Sequence, residues 1–204
     1  MNQDNQQFEN QPSPVLTSVS SKKPADSFWD ILRFAGLALL IVLPIRWYVA
    51  QPFIVSGASM EETFHNNDYL IVDQVSYRFE EPKRGDVIIF RYPRDHSEYF
   101  IKRVIGLPGE TIAIKGQSVT IWNDEHEQGL MLNEPYALMG EKENDVRRTL
   151  GPDEYFVLGD NRDHSSDSRV WGVLRKDEIV GRAVLRLFPP TKIDYLPGDV
   201  KNAD

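Results

Sequence analysis

Apolar and polar positions divide this chain into three regimes. Residues 1–27 are rich in Asn, Gln, Ser, Pro and Lys and hold almost no large apolar side chains. Such a stretch buries too little surface to offset its ordering entropy, so a disordered polar tail is expected. Residues 28–50 are greasy, with an unbroken apolar core from Phe34 to Ile45. From residue 51 onward, short β-rich runs alternate with turn residues. The runs are Tyr69–Val72, Asp86–Tyr92, Phe100–Ile105, Thr111–Ile114, Ser118–Trp122, Glu154–Leu158 and Arg182–Leu187. Turn signals such as Arg84-Gly85-Asp86, Leu107-Pro108-Gly109 and Gly159-Asp160-Asn161 separate them. No sustained 3.6-residue apolar period appears after residue 50, which predicts a mostly β, antiparallel domain over 51–204. Residues 123–150 are polar and charged and break this rhythm, as an inserted, cap-like excursion on the sheet would.

The apolar core of residues 28–50 is 12 residues long, shorter than the ~20 usually needed to cross a bilayer. Arg33 and Arg46 flank it and can extend their stems toward an interface, where Trp29, Trp47 and Tyr48 would form an aromatic belt. A cleaved signal peptide would start earlier, and no small-x-small site follows before Gln51-Pro52. The reading is one N-terminal transmembrane helix. Lys22, Lys23 and Arg33 precede the span and only Arg46 closely follows it, which favours a cytoplasmic N-terminus. The body would then lie on the outer face of the plasma membrane.

Composition narrows the chemistry. A net charge of −8 without a basic stripe argues against nucleic-acid binding. Cysteine is absent, and the four histidines are scattered with no pair at helical ligand spacing, so neither a metal site nor a cofactor is expected.

Two places hold candidate chemistry. Ser59 lies in Ser56-Gly57-Ala58-Ser59-Met60, just past the apolar segment, and Lys102 lies among Phe100, Ile101, Val104 and Ile105. A serine hydroxyl needs a positioned base, and lysine can be that base only when burial lowers its pKa toward neutrality. The second place is the stretch Gly159-Asp160-Asn161-Arg162-Asp163-His164-Ser165-Ser166-Asp167-Ser168-Arg169, directly after an apolar run. Its Asp163-His164 pair invites a triad with Ser59, but a triad aspartate orients the imidazole from a neighbouring element. Ser20-Ser21-Lys22-Lys23 matches a Ser-x-x-Lys pattern, yet it lies in the polar tail rather than at a helix start.

Taken in order, five stretches resemble the type I signal peptidases, membrane-bound Ser/Lys endopeptidases that remove signal peptides from exported proteins. These are the anchor; Ser56 to Thr63, similar to a Ser-Met-x-Pro-Thr nucleophile box; Asp68-Tyr69 with Arg84-Gly85-Asp86-Val87; Lys102 to Glu110; and Gly159 through Ser165, Asp167 and Arg169. The resemblance implies Ser59 as nucleophile and Lys102 as general base. It implies Ser165 as the residue that hydrogen-bonds and orients the lysine amine. Asp160 would pair with Arg103, and Asp167 with Arg169. Gly57 and the N–H of Ser59 would belong to the oxyanion region. The implied partners are preprotein signal peptides and the lipid bilayer.

The chain departs from the family pattern at Glu62, where proline is usual, and at His164, which often is asparagine and is expected to face solvent. Gly57 matches one subgroup. Two other readings stay open: a self-cleaving repressor-type Ser/Lys protease, which the anchor and the absence of a DNA-binding module oppose, and an inactive tethered adaptor, which Glu62 would permit.

Overall fold

The computed structural model describes residues 24–44, 50–140 and 144–199. The chain divides into two compact units, Met1–Ile41 and Val42–Asp204. In the first, helix α1 (Pro24–Pro44) begins four residues before the expected span, and most of the expected tail lies outside the described residues. Its apolar side chains are exposed, Phe34 at 76% and Leu40 at 70%. No helix among the described residues is long and apolar enough to cross a membrane. Ala50, expected to close the anchor, instead opens strand β1 (Ala50–Ile54). Gln51, Pro52 and Phe53 are paired residue for residue with Val72, Ile71 and Leu70, so ladder formation overrides the apolar run there.

The second unit is built on an eight-stranded antiparallel sheet. Its members are β1, β2 (Tyr69–Asp73), β3 (Val87–Tyr92), β4 (Asp95–Gly106), β9 (Glu154–Leu158), β10 (Leu174–Arg175), β11 (Ile179–Phe188) and β12 (Asp194–Tyr195). The order is β1-β2-β11-β3-β4-β9-β10, with β12 also on β11. β3 explains why the sheet core is so apolar. Val87 and Ile89 pack with Met60, Phe64, Leu70 and Val72, while Ile88 and Phe90 pack with Tyr155, Val157 and Leu174 on the other face. A strand covered on both faces needs an unbroken apolar run rather than an alternating one. Truncating Phe90 to alanine here should cost about 3–5 kcal/mol.

Strands β5 (Thr111–Gly116), β6 (Ser118–Trp122), β7 (Leu130–Met131) and β8 (Asn144–Thr149) form a second sheet in the order β7-β6-β5-β8. This corrects the expected excursion. β5 and β6, assigned from sequence to the body, pair with β7 and β8 rather than with the main sheet. The second sheet therefore starts at Thr111 and takes in two strands that precede residue 123. β8 escaped prediction because only Val146 of its six residues is apolar and packs on the core with Ile112, Ile114 and Ile121. One helical turn, α2 (Ser168–Trp171), also went unpredicted. It is too short to show a period, and the Asp167 side chain caps it by accepting from Arg169 N.

Candidate active site

Ser59 sits on the turn that follows β1. Gly57, at φ +97°, provides the left-handed backbone that an L side chain would strain, although a methyl there would meet nothing within 4 Å. Its N–H donates to Asn66 Oδ1 at 3.1 Å within the turn. Met60 and Phe64 are buried on either side of the turn and fix it to the sheet core. Glu62, between them, is exposed. The departure from proline thus places a carboxylate in solvent, not in the cleft.

Lys102 comes from β4, opposite Ile88 of β3, and is 3% exposed. Its Nζ lies 2.7 Å from Ser59 Oγ and donates to the carbonyl of Ile101 at 2.8 Å. The Phe100 ring is 5.3 Å away. Burial lowers the lysine pKa from 10.5 to about 8, against an upward pull from Asp167 and Asp160. At that value a useful fraction of the amine is neutral near pH 7–8, and the Ser59 hydroxyl can then donate to its lone pair. The proximity that sequence spacing alone left open is present.

The loop after β9 supports both residues. Asn161 N donates to the carbonyl of Ser59 at 3.0 Å. Asp160 takes Arg103 Nε and Nη2 at 2.8 and 2.6 Å and Thr63 Oγ1 at 2.5 Å. Arg103 is fully buried and also donates to the carbonyl of Gly85 at 2.8 Å. Asp167 accepts Arg169 Nε and Nη2, each at 2.8 Å, and Gly159 N at 3.1 Å. Buried bidentate pairs of this kind fix geometry because every carboxylate oxygen is satisfied.

The site differs from the sequence expectation at Ser165. Its Oγ is buried without a hydrogen-bond partner, and the lysine amine is bonded to Ser59 and Ile101 instead. The side chain packs against Gly159: a methyl on that glycine would meet Ser165 Oγ at 2.2 Å and the Ser59 carbonyl at 2.5 Å. His164 is exposed, as expected. Its Nδ1 lies 3.2 Å from Asn161 Oδ1, and the base beside Ser59 is Lys102, so the residues do not form the triad. Sequence reading missed Thr63, Asn66, Glu134 and Tyr136. Each acts on a partner distant in sequence, or through a polar side chain in an ordinary turn, and no local pattern marks them.

Ser59 and Lys102 open into a cleft of about 500 Å³, lined also by Phe53, Val55, Tyr99 and Ile101. The register shows how it stays open. β9 pairs with β4 only from Arg103 onward, while Tyr99 to Lys102 are paired with β3 alone. β1 pairs with β2, and its other edge faces the cleft. The cleft is therefore largely apolar and bordered by unpaired strand.

Residues 28–188 match the family described as signal peptidase, peptidase S26. The chain belongs to the signal peptidase family. Signal peptidase I of Leptolyngbya laminosa is 35% identical over 194 residues, covering 91% of this chain and 92% of that protein. Signal peptidase I P of Bacillus subtilis subsp. natto is 33% identical, covering 85% and 96%. A crystal structure of a signal peptidase I from Enterococcus faecalis is 30% identical and covers 52% of this chain and 98% of that one, with a TM-score of 0.44. As a type I signal peptidase, the protein is a hydrolase of peptide bonds.

Proposed function

We propose that this signal peptidase is a membrane-bound serine endopeptidase that removes N-terminal signal peptides from exported preproteins, with Ser59 as nucleophile and Lys102 as general base. The observation that carries the reading is the 2.7 Å separation of Ser59 Oγ from an amine that is 3% exposed.

A preprotein segment lies extended in the cleft, adding main-chain hydrogen bonds to the unpaired edge of β4. Small, uncharged side chains before the cut suit a largely apolar cleft. Ser59 Oγ attacks the scissile carbonyl carbon while its proton passes to Lys102 Nζ. The N–H of Ser59 donates to the developing oxyanion. As the tetrahedral species collapses, the C–N bond breaks and Lys102 returns the proton to the leaving amine. Water then attacks the acyl-serine as Lys102 takes its proton, and the ester bond to Ser59 breaks as Lys102 returns that proton to Ser59 Oγ, releasing the new carboxyl terminus. Arg103 with Asp160, and Arg169 with Asp167, hold the loop that carries Ser165. Ser165 is a supporting residue whose side chain packs against Gly159.

The exposed apolar surface of α1 supports lipid as its solvent, since water around Phe34 and Leu40 is unfavourable. We read the single-pass anchor as the apolar run that begins at residue 28 within α1. We place its N-terminus in the cytoplasm and the catalytic unit on the outer face of the plasma membrane. Reporter fusions at each end of the chain test this orientation.

The activity is tested with purified full-length protein in detergent and a signal-peptide-bearing preprotein. Wild type should cleave, while Ser59→Ala and Lys102→Ala should lose on the order of 10³-fold or more. Cleavage that persists in both variants would overturn the assignment.

A further inference from the structure

The second sheet sends a strap, residues 132–140, across the loop that supports the nucleophile. The strap leaves the sheet at Leu132, whose N–H donates to the carbonyl of Val119 on β6 at 2.9 Å. It then runs parallel to the loop: Leu138 N donates to Asp160 O at 2.8 Å, and Arg162 N donates to Leu138 O at 3.1 Å. Between those two bonds lies Asn161, whose own N–H holds the carbonyl of Ser59 at 3.0 Å. The loop is thus held between the strap on one side and the nucleophile turn on the other.

Two side chains of the strap reach the charges buried beneath. The Tyr136 ring lies 3.9 Å from the Arg103 guanidinium carbon, and its hydroxyl donates to Glu134 Oε1 at 3.1 Å. Glu134 accepts Arg162 Nη2 at 2.6 Å, with both side chains nearly buried. Arg162 Nε in turn reaches the carbonyl of Gly159 at 3.2 Å. A desolvated guanidinium is attracted to the face of an aromatic ring, and a buried carboxylate–guanidinium pair leaves an uncompensated charge if one partner is removed. Neither contact can form without the other sheet bringing residues 134 and 136 into place.

We propose that Tyr136 and Glu134 are positioning residues for the hydrolysis, acting through Arg103–Asp160 and Arg162, so that the inserted sheet sets the geometry of Ser59 and Lys102. The proposal rests on the Ser59–Lys102 reading above. Asp160, Asn161 and Arg162, where the strap crosses the loop, are buried. The groups facing Lys102 are Ser59 from the nucleophile turn, Asp160 and Asp167 from the loop, Phe100 on its own strand and Ile88 on β3, with Glu98 and His164 at the cleft rim. Burial is the largest influence on its pKa. A loosened strap hydrates the loop and moves that pKa upward.

The test is the pH profile of kcat/KM for the full chain in detergent, with a signal-peptide-bearing substrate. Tyr136→Leu should lower kcat about tenfold at neutral pH with KM changed less than about twofold, and should move the acid limb to higher pH. Tyr136→Phe, which restores the ring, should recover most of kcat. Glu134→Gln, which keeps the shape and tests the other contact, should lower kcat with KM held in the same way. A Tyr136→Leu enzyme that loses melting temperature alone, with limb and kcat unmoved, overturns the proposal. So does a Glu134→Gln enzyme with wild-type kcat, which decides the matter if Tyr136→Leu does not fold. Failure of the underlying reading looks different: the wild type itself would then lack an acid limb near the lysine pKa.

Discussion

The backbone N–H of Asn161 donates to the carbonyl of Ser59 at 3.0 Å, joining the loop after β9 to the turn that carries the nucleophile. This one bond puts the loop's buried charge pairs in mechanical contact with Ser59. It also explains the requirement for glycine at position 159, where β9 ends. There the carbonyl of Ser59 and the Oγ of Ser165 approach so closely that no side chain fits.

Gly159→Ala should therefore separate Ser59 from the loop. Its methyl would stand 2.5 Å from the Ser59 carbonyl and 2.2 Å from Ser165 Oγ, so backbone must move. A displacement near 1 Å at a reacting group costs on the order of 10²-fold in rate. Steady-state kinetics should show the loss in kcat more than in KM.

Asp167→Asn should do two things at once. It removes one partner of a buried pair with Arg169, which costs about 3–5 kcal/mol and lowers the melting temperature. It also removes the carboxylate that most strongly pulls the Lys102 pKa upward, so the acid limb of the pH–rate profile should move to lower pH. A purely structural role for Asp167 would give the first effect without the second.

Much of this arrangement was legible in the chain, for identifiable reasons. β6 and β9 were read residue for residue because their apolar runs end abruptly at turn residues. Ser59, Lys102, Asp160 and Asp167 were all marked as candidates, and they converge because β4 and β9 are neighbours in the sheet. What stayed hidden depends on pairing across long separations. β1 carries no strand signal of its own: its first residue, Ala50, falls in the expected anchor, and Gln51-Pro52 reads as a boundary rather than as the start of a strand. β8 looked like loop because its outward face is charged. The contacts of Tyr136 and Glu134 belong to a strap whose sequence carries no period at all.

Lys102→Met should stabilise the protein while abolishing its activity. An amine whose pKa falls from 10.5 to about 8 on folding disfavours the folded state by ~3 kcal/mol below pH 8. Between about pH 8 and 10.5 the unfolded chain binds the proton that the folded chain has released, so wild-type stability should rise with pH through that window. Thermal melts at pH 7 and pH 10 check both points. The methionine variant should melt higher at pH 7, and the difference should shrink at pH 10.

The central claim, that a buried neutral lysine takes the proton of Ser59, is tested most directly by the pH dependence of kcat/KM in the wild-type enzyme. That profile reports the free enzyme's essential base. Rates should rise with pH through a single acid limb with an apparent pKa of about 8, set by burial of Lys102. A limb in the histidine range near ~6.5, or a rate independent of pH across the neutral range, would contradict it.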